Sequence, residues 1–266
     1  MRKISVIIAT HNRPKLLKRA LESLLQQKYQ FHQIIVVADV NDPETYQVAS
    51  ASMRSEDLFI QRLGRPGPAE SRNAGMKFVS GDYFMFLDDD DTFRPDFLDV
   101  IKDSSDIVNN NNVLLYTNFE VVNEKMVGNN LFVENVDGID IEGYDPLMVY
   151  VKNFIPNNCL IFPGMLIPEI TFDPLISYED WDFILSACAH VPIKHIPILG
   201  PRVHKNIAPD YEARGKNNNA GLLDCYIKIY RKHPPPNLSV SLWRRELFSS
   251  IDLEIDSLVN NEPLLC

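Results

Sequence analysis

Two hydrophobic periods alternate along the first hundred residues. Ile4 to Ala9 is a short apolar run that ends in the polar turn Thr10-His11-Asn12-Arg13. Pro14 suits a first helical position, and Leu16, Leu17, Ala20, Leu21, Leu24 and Leu25 then recur at helical spacing. Gln33 to Ala38 is the next apolar run and ends in Asp39. Pro43-Glu44 opens a second helix, Leu58-Phe59-Ile60 is a third short strand, and Ala69 to Val79 reads as a helix after the rigid loop Gly64-Arg65-Pro66-Gly67-Pro68. Tyr83 to Leu87 is apolar throughout, as in a strand buried on both faces, and runs straight into Asp88-Asp89-Asp90-Asp91. Strand–helix–strand repetition predicts an α/β fold whose central sheet is mostly parallel and flanked by helices. Thr10, Asp39 and Asp88 each follow a strand, the edge at which such sheets bind ligands.

The second half is less regular. Val113 to Tyr116 and Phe119 to Val122 suggest two strands, and Leu131 to Val133 a short one within the polar stretch from Asn123 to Pro146. That stretch reads as a loop, either a cover over a site or an ordinary insertion. Asn109 to Asn112 reads as a surface loop. Cys159 to Phe162 and Met165 to Ile167 read as strands around Pro163-Gly164. Ser177-Tyr178-Glu179-Asp180 leads into a helix over Trp181 to Ala189, and Ile193 to Leu199 is a strand interrupted by Pro197. Ala220 to Arg231 and Leu238 to Ile251 have helical spacing and are separated by Pro234-Pro235-Pro236. The chain divides into a main domain over 1–215, with a regular half at 1–100 and a less regular half at 101–215, and a helical extension at 216–266.

The 266 residues carry 26 basic against 36 acidic side chains, a formal charge of -10. This argues against a binder of nucleic-acid backbone, while a small anion held by a few arginines remains compatible. The four cysteines form no CxxC pair, so no zinc knuckle or disulfide framework is signalled and a reducing, cytoplasmic setting is expected. No apolar run is long enough to span a bilayer, which leaves peripheral contact with the inner face of a membrane compatible with the chain.

Four adjacent carboxylates repel one another in water, and a hard divalent cation would relieve that repulsion. A plainer reading has Asp91 or Thr92 capping a helix that begins near Pro95.

These segments together resemble the inverting, nucleotide-sugar-dependent glycosyltransferases of GT-A fold known as family 2. The blocks that carry the resemblance are Ser5 to Pro14, Ile34 to Asp39, Arg72-Asn73-Ala74-Gly75, Gly81 to Asp91 and Glu179-Asp180-Trp181-Asp182. It is strong over residues 4–100 and limited to short motifs as far as 206. In place of the paired aspartates that often end the family's second strand, this chain has Ala38-Asp39.

The resemblance implies that 1–215 is a GT-A catalytic domain with a nucleotide-sugar-binding half at 1–100 and an acceptor-binding half at 101–215, and it implies the following roles. Thr10, Asp39 and Arg72 bind the nucleotide, with uracil or thymine as the base. Asp90 binds Mn²⁺ or Mg²⁺, Asp88 lies beside the ribose or the same ion, and Asp89 can do either, because four consecutive aspartates leave the register open. Asp91 is a cap or surface residue. His204 supports the metal or pyrophosphate, and Arg202 and Lys205 can neutralise phosphate. Asp180 is the general base, with an ordinary acidic pKa, and Glu179 orients the acceptor. The alternative for this pair is that both cap the following helix. Trp181 stacks on a sugar or belongs to the core. His11, His190, His195 and Cys159 receive no role. The implied partners are a nucleoside-diphosphate sugar and a glycan, lipid-linked or other hydroxyl acceptor. Two rival functions are a nucleotidyltransferase, for which the first turn lacks a glycine-rich phosphate loop, and a catalytically silent nucleotide-sugar or glycan-binding module.

Overall fold

A computed structural model describes residues 2–109, 112–127, 130–174, 178–206 and 219–250. Four strands carry the first half: β1 (Ile4–Thr10), β2 (Gln33–Ala38), β3 (Leu58–Gln61) and β4 (Tyr83–Asp88). They pair in parallel in the order β3-β2-β1-β4, with Val6 opposite Ile34 and Ala9 opposite Asp88. The chain steps outward from β1 to β3 and then returns to the other side of β1 for β4. The direction of winding therefore reverses between β1 and β4, which opens a crevice at their carboxyl ends. Thr10, Asp39 and Asp88 all reach that edge.

Both faces of these strands are covered. Along β4, Tyr83, Met85 and Leu87 face one core, and Phe84 and Phe86 face the other. The first core is closed by α1 (Pro14–Leu25), which buries Leu17, Ala20, Leu21 and Leu24 completely. Each such leucine contributes about 1.5–3 kcal/mol of transfer free energy. Helices α2 (Pro43–Ser52) and α3 (Pro68–Met76) complete the first half. At Gly75, a Cβ would lie 2.6 Å from a methyl group of Ile7, so only glycine allows α3 this close to β1.

Beyond β4 the sheet is mixed. The two-residue strand β5 (Thr92–Phe93) pairs with a later strand, so Asp91 and Thr92 do not cap the next helix. That helix is α4 (Phe97–Ile101), followed by α5 (Ser105–Val108). The two strands expected over 113–122 are one, β6 (Leu114–Val127). The stretch expected as a loop from Asn123 is instead the end of β6 and the antiparallel strand β7 (Asn130–Ile139). The polar side chains Glu134, Asn135 and Asp137 of β7 stay in solvent, so the apolar alternation that marks a buried strand is missing there. β8 (Leu160–Pro163) runs antiparallel to β4 and β6, and Met165 to Ile167, expected as a strand, lies in a 3-10 turn over Gly164–Leu166 and its cap. After α6 (Glu179–Cys188), β9 (Ile193–Asn206) passes through Pro197 without ending, and a register shift against β6 absorbs the proline. Asn110, Asn111, Ser177 and Ile251 lie outside the described residues.

The carboxy-terminal helices α7 (Asn219–Lys232) and α8 (Leu238–Ser250) lie against α6 and the 3-10 turn at Pro146–Tyr150. Trp181 is core: it is 1% exposed, donates its indole N–H to the Val149 carbonyl at 2.6 Å, and packs against Tyr226 at 4.9 Å. Tyr230 donates to the Val151 carbonyl and Arg244 to the Tyr150 carbonyl. Asp182, fully buried in the first turn of α6, accepts from Lys232 at 2.8 Å and from His233 Nε2 at 2.7 Å. Burial opposes its charge, but the bonds from His233 and Lys232 outweigh that, and its pKa lies below the ordinary value. A depressed carboxylate pKa stabilises the fold at neutral pH, and that stabilisation is lost only as pH falls through the folded value.

Replacing Asp182 with Asn should therefore cost about 2–4 kcal/mol at pH 7, because Lys232 and His233 lose their buried anionic partner. Urea unfolding of the whole chain measures this, and a change below about 0.5 kcal/mol would contradict the assignment.

Candidate active site

The loop after β1 turns through Asn12, which has a left-handed φ of 51°, and Pro14 then fixes the start of α1. Just before this turn, at the end of β1, Thr10 is buried and donates its hydroxyl to Asp89 Oδ2 at 2.8 Å. Arg13 donates to Asp89 Oδ1 at 2.9 Å and to Asp90 Oδ2 at 3.0 Å. The loop after β2 supplies Asp39, which is buried. One of its oxygens lies 2.6 Å from His11 Nδ1, and the other accepts the Gly67 backbone N–H at 2.7 Å. Asp39 thus ties the rigid loop before α3 to the crevice, and His11 is a partner that the sequence pattern did not single out.

Arg72, on α3, is the most connected cation of the site. It is 5% exposed and donates to Asp88 Oδ1 at 2.8 Å and Asp180 Oδ1 at 2.6 Å, with Glu179 Oε1 at 3.5 Å. Burial opposes its charge, but Asp180, Asp88 and Glu179 outweigh that and raise its pKa. Asp180 is pushed up to about 6, first by burial and then by Asp88 and Glu179, against the opposing pull of Arg72. This corrects the ordinary carboxylate pKa expected from sequence. The capping alternative fails in detail: α6 begins at Glu179, its N-cap is Tyr178, and Glu179 and Asp180 stand in its first turn.

The acidic run folds as a tight turn closed by the Asp91 N–H on the Asp88 carbonyl at 3.0 Å. Asp88, Asp90 and Asp91 each aim an oxygen at one point, with all three oxygens within 4.8 Å of one another. Asp89 turns the other way, to Thr10 and Arg13. Asp91 is neither cap nor surface residue. It is buried and accepts the His204 backbone N–H at 2.8 Å and the Asn158 amide at 2.7 Å. Burial, followed by Asp88, raises its pKa well above the ordinary range. Three hard oxygen donors that repel one another form a donor set suited to a hard divalent cation.

Two expected site residues sit differently. The His204 ring is engaged by Glu124 Oε1 at Nδ1, 2.8 Å, and by the Thr92 hydroxyl at Nε2, 2.9 Å, while its backbone supports Asp91. Burial and then Arg19 hold its pKa below the ordinary value, and Glu124 opposes them. Arg202 donates through Nε to Glu120 of β6 at 2.7 Å, and Glu120 also receives Arg94. Behind the turn, Arg19 of α1 bonds both oxygens of the buried Glu124 and donates to the Asp90 carbonyl at 2.5 Å. Arg13, Arg19, Glu124 and Asn158 escaped the sequence reading because their partners lie tens of residues away.

The profile described as Glycosyl transferase family 2 matches residues 5–111. The chain is 30% identical over 202 residues to the uncharacterized glycosyltransferase YwdF of Bacillus subtilis, covering 73% of this chain and 71% of YwdF. It is 26% identical over 216 residues to the poly(ribitol-phosphate) beta-N-acetylglucosaminyltransferase TarS of Staphylococcus aureus, but spans only 35% of that protein. The crystal structure of S. aureus TarS superposes with a TM-score of 0.60 at 22% identity, covering 76% of this chain and 37% of that one. A TarS 1-349 structure in complex with UDP superposes with a TM-score of 0.61 at 16% identity, covering 98% of this chain and 76% of that one. Among the described residues no helix is long and apolar enough to cross a membrane. The winding reversal, the carboxylate turn, the Arg72 bridge and the kinship with YwdF agree: the chain belongs to glycosyl transferase family 2 and is a glycosyltransferase with a GT-A-like α/β fold.

Proposed function

We propose that the chain is a metal-dependent, inverting glycosyltransferase that moves a sugar from a uridine- or thymidine-diphosphate donor to a hydroxyl of a glycan or lipid-linked acceptor. The observation that carries this reading is the Arg72 bridge. One buried guanidinium joins Asp88, at the end of the donor-side strand, to Glu179 and Asp180, at the start of α6. Donor-side and acceptor-side carboxylates thus share one crevice. A nucleotidyltransferase has no use for a second carboxylate pair there, and a silent binding module has no use for a base of raised pKa.

Each residue has a place in the reaction. Thr10, Asp39 and Arg72 stand around the nucleotide, and TarS, the structural relative, binds UDP and UDP-GlcNAc. Asp88, Asp90 and Asp91 would hold the divalent cation, with Asp89 kept apart by Thr10. When bound, that cation supplies positive charge against the diphosphate leaving group. His204 serves the site through its backbone support of Asp91, and Arg202 steadies β6 and β9 at the rim. Asp180 accepts the proton of the acceptor hydroxyl while the hydroxyl oxygen bonds to the anomeric carbon and the bond from that carbon to the nucleoside diphosphate breaks. A carboxylate with pKa about 6 is a stronger base than an ordinary aspartate and is still ionised at neutral pH. Arg72 holds its orientation, and Glu179 orients the acceptor.

Three outcomes test the reading. Asp180→Asn should keep donor affinity close to wild type and lower the melting temperature, because buried Arg72 loses one of its anionic partners, while acceptor-dependent turnover of the folded variant falls by roughly 10² to 10⁴; turnover equal to wild type would reject Asp180 as base. A base with pKa about 6 must lose its proton to work, so kcat/KM should fall about tenfold per pH unit below that value and level off above it. Titration with UDP and dTDP should show Asp39→Ala weakened by about tenfold or more for the preferred nucleotide. Equal affinity would remove Asp39 from the nucleotide group.

A further inference from the structure

Arg13 meets the carboxylate cluster from the crevice side. Its Nη1 bonds Asp89 Oδ1 at 2.9 Å and Asp90 Oδ2 at 3.0 Å. The two carboxylates differ. Asp89 is 5% exposed and also held by the Thr10 hydroxyl, so it is fixed. The Asp90 side chain is 40% exposed, and it is one of the three whose oxygens converge. Arg13 itself is 23% exposed at the side chain and stands on a loop, between Asn12 and the first residue of α1. Asp90 is thus served by two cations of unlike kind. Arg19 grips the Asp90 backbone from behind, beside buried Glu124, whereas Arg13 takes the Asp90 carboxylate itself.

We propose that Arg13 is an internal counter-cation that competes with the divalent metal for Asp90. In the metal-free protein its guanidinium neutralises Asp89 and Asp90 and keeps four adjacent aspartates from forcing the turn apart. A divalent cation shared by Asp88, Asp90 and Asp91 meets a positive charge hydrogen-bonded to one of its own ligands, and the two repel. Metal binding therefore requires Arg13 to let go of Asp90 while its bond to Asp89 persists. The donor released from Asp90 can then meet the anionic part of a nucleotide donor. Removing the charge at Arg13 should consequently tighten the metal site, the opposite of what removal of a structural support would do.

This inference rests on the reading of Asp88, Asp90 and Asp91 as a cation site, and the test separates the two. Mn²⁺ binding is measured by electron paramagnetic resonance, without nucleotide, on wild type, Arg13→Met, Arg13→Lys and Asp90→Asn. Arg13→Met should bind at least about tenfold more tightly than wild type, the scale of one like charge removed at close range, and Arg13→Lys should stay within about threefold. Asp90→Asn should lose binding. If Asp90→Asn binds like wild type, the cluster reading fails. If Asp90→Asn loses binding but Arg13→Met binds no tighter than wild type, the role of Arg13 alone is overturned. A second measurement needs no variant to fold: ¹⁵N spectra of the arginine guanidinium groups in wild-type protein, titrated with diamagnetic Mg²⁺. Release of Asp90 should shift the Arg13 signals as the site fills. Arg13 signals unmoved at saturating Mg²⁺ would overturn the proposal.

Discussion

A guanidinium 5% exposed, facing three carboxylates from two distant parts of the chain, is the constraint on which the rest depends. A buried charge without partners would be strongly destabilising, so Arg72 requires Asp88 and the Glu179-Asp180 pair to be where they are. The reverse also holds. Without Arg72, Asp88 and Asp180 would repel across a partly buried crevice. Neighbouring contacts fix Arg72 itself. Gly75 lets α3 sit against β1, and Asn73 exchanges two hydrogen bonds of 2.8 Å with the Phe172 backbone. The Phe172 ring lies 5.3 Å from the Arg72 guanidinium carbon. Thus the four residues from Arg72 to Gly75 join sheet, α3 and the approach to α6 in one rigid piece.

Around this bridge the architecture keeps polar and apolar demands apart. β4 is buried on both faces through Leu87 and becomes acidic only where the winding reversal exposes its end. The second half then supplies support from behind: β9 gives the backbone N–H for Asp91, β6 gives Glu124 for Arg19 and His204, and α7 with the following His233 holds α6 through Asp182. Asp182 and Asp180 sit two residues apart on one helix and serve opposite ends. One anchors the helix to the carboxy-terminal segment, and the other faces the crevice at a pKa raised by burial.

The first half was legible because its periods are strong. Leu17, Ala20, Leu21 and Leu24 face one way on a helix that opens with Pro14, and the apolar runs of β1, β2 and β4 all end in polar residues. The hairpin of β6 and β7 was not legible. Leu131, Phe132, Val133 and Val136 remain exposed on β7, so no buried face imprints an alternation on the sequence. Pro197 looked like a break because a proline cannot donate to a strand ladder, yet a register shift accommodates it. In the site, Thr10, Asp39, Arg72, Asp88, Asp90 and Asp180 could be picked out by motif. Partners such as Arg13 to Asp90, Arg19 to Glu124 and Asn158 to Asp91 could not, since pairing across so many residues is set by the sheet order and leaves no local trace. The raised pKa of Asp180 is likewise a product of burial, which a residue at a polar helix start does not advertise.

The central claim is that Asp180 and the Arg72 bridge serve one direct displacement at the anomeric carbon, with no covalent intermediate. The stereochemistry of the product tests that most directly. Proton NMR of the anomeric centre, recorded on product formed from an α-linked nucleotide-sugar donor, should show the β-linked sugar alone. An α-linked product would contradict the account, because net retention requires a different path through the site.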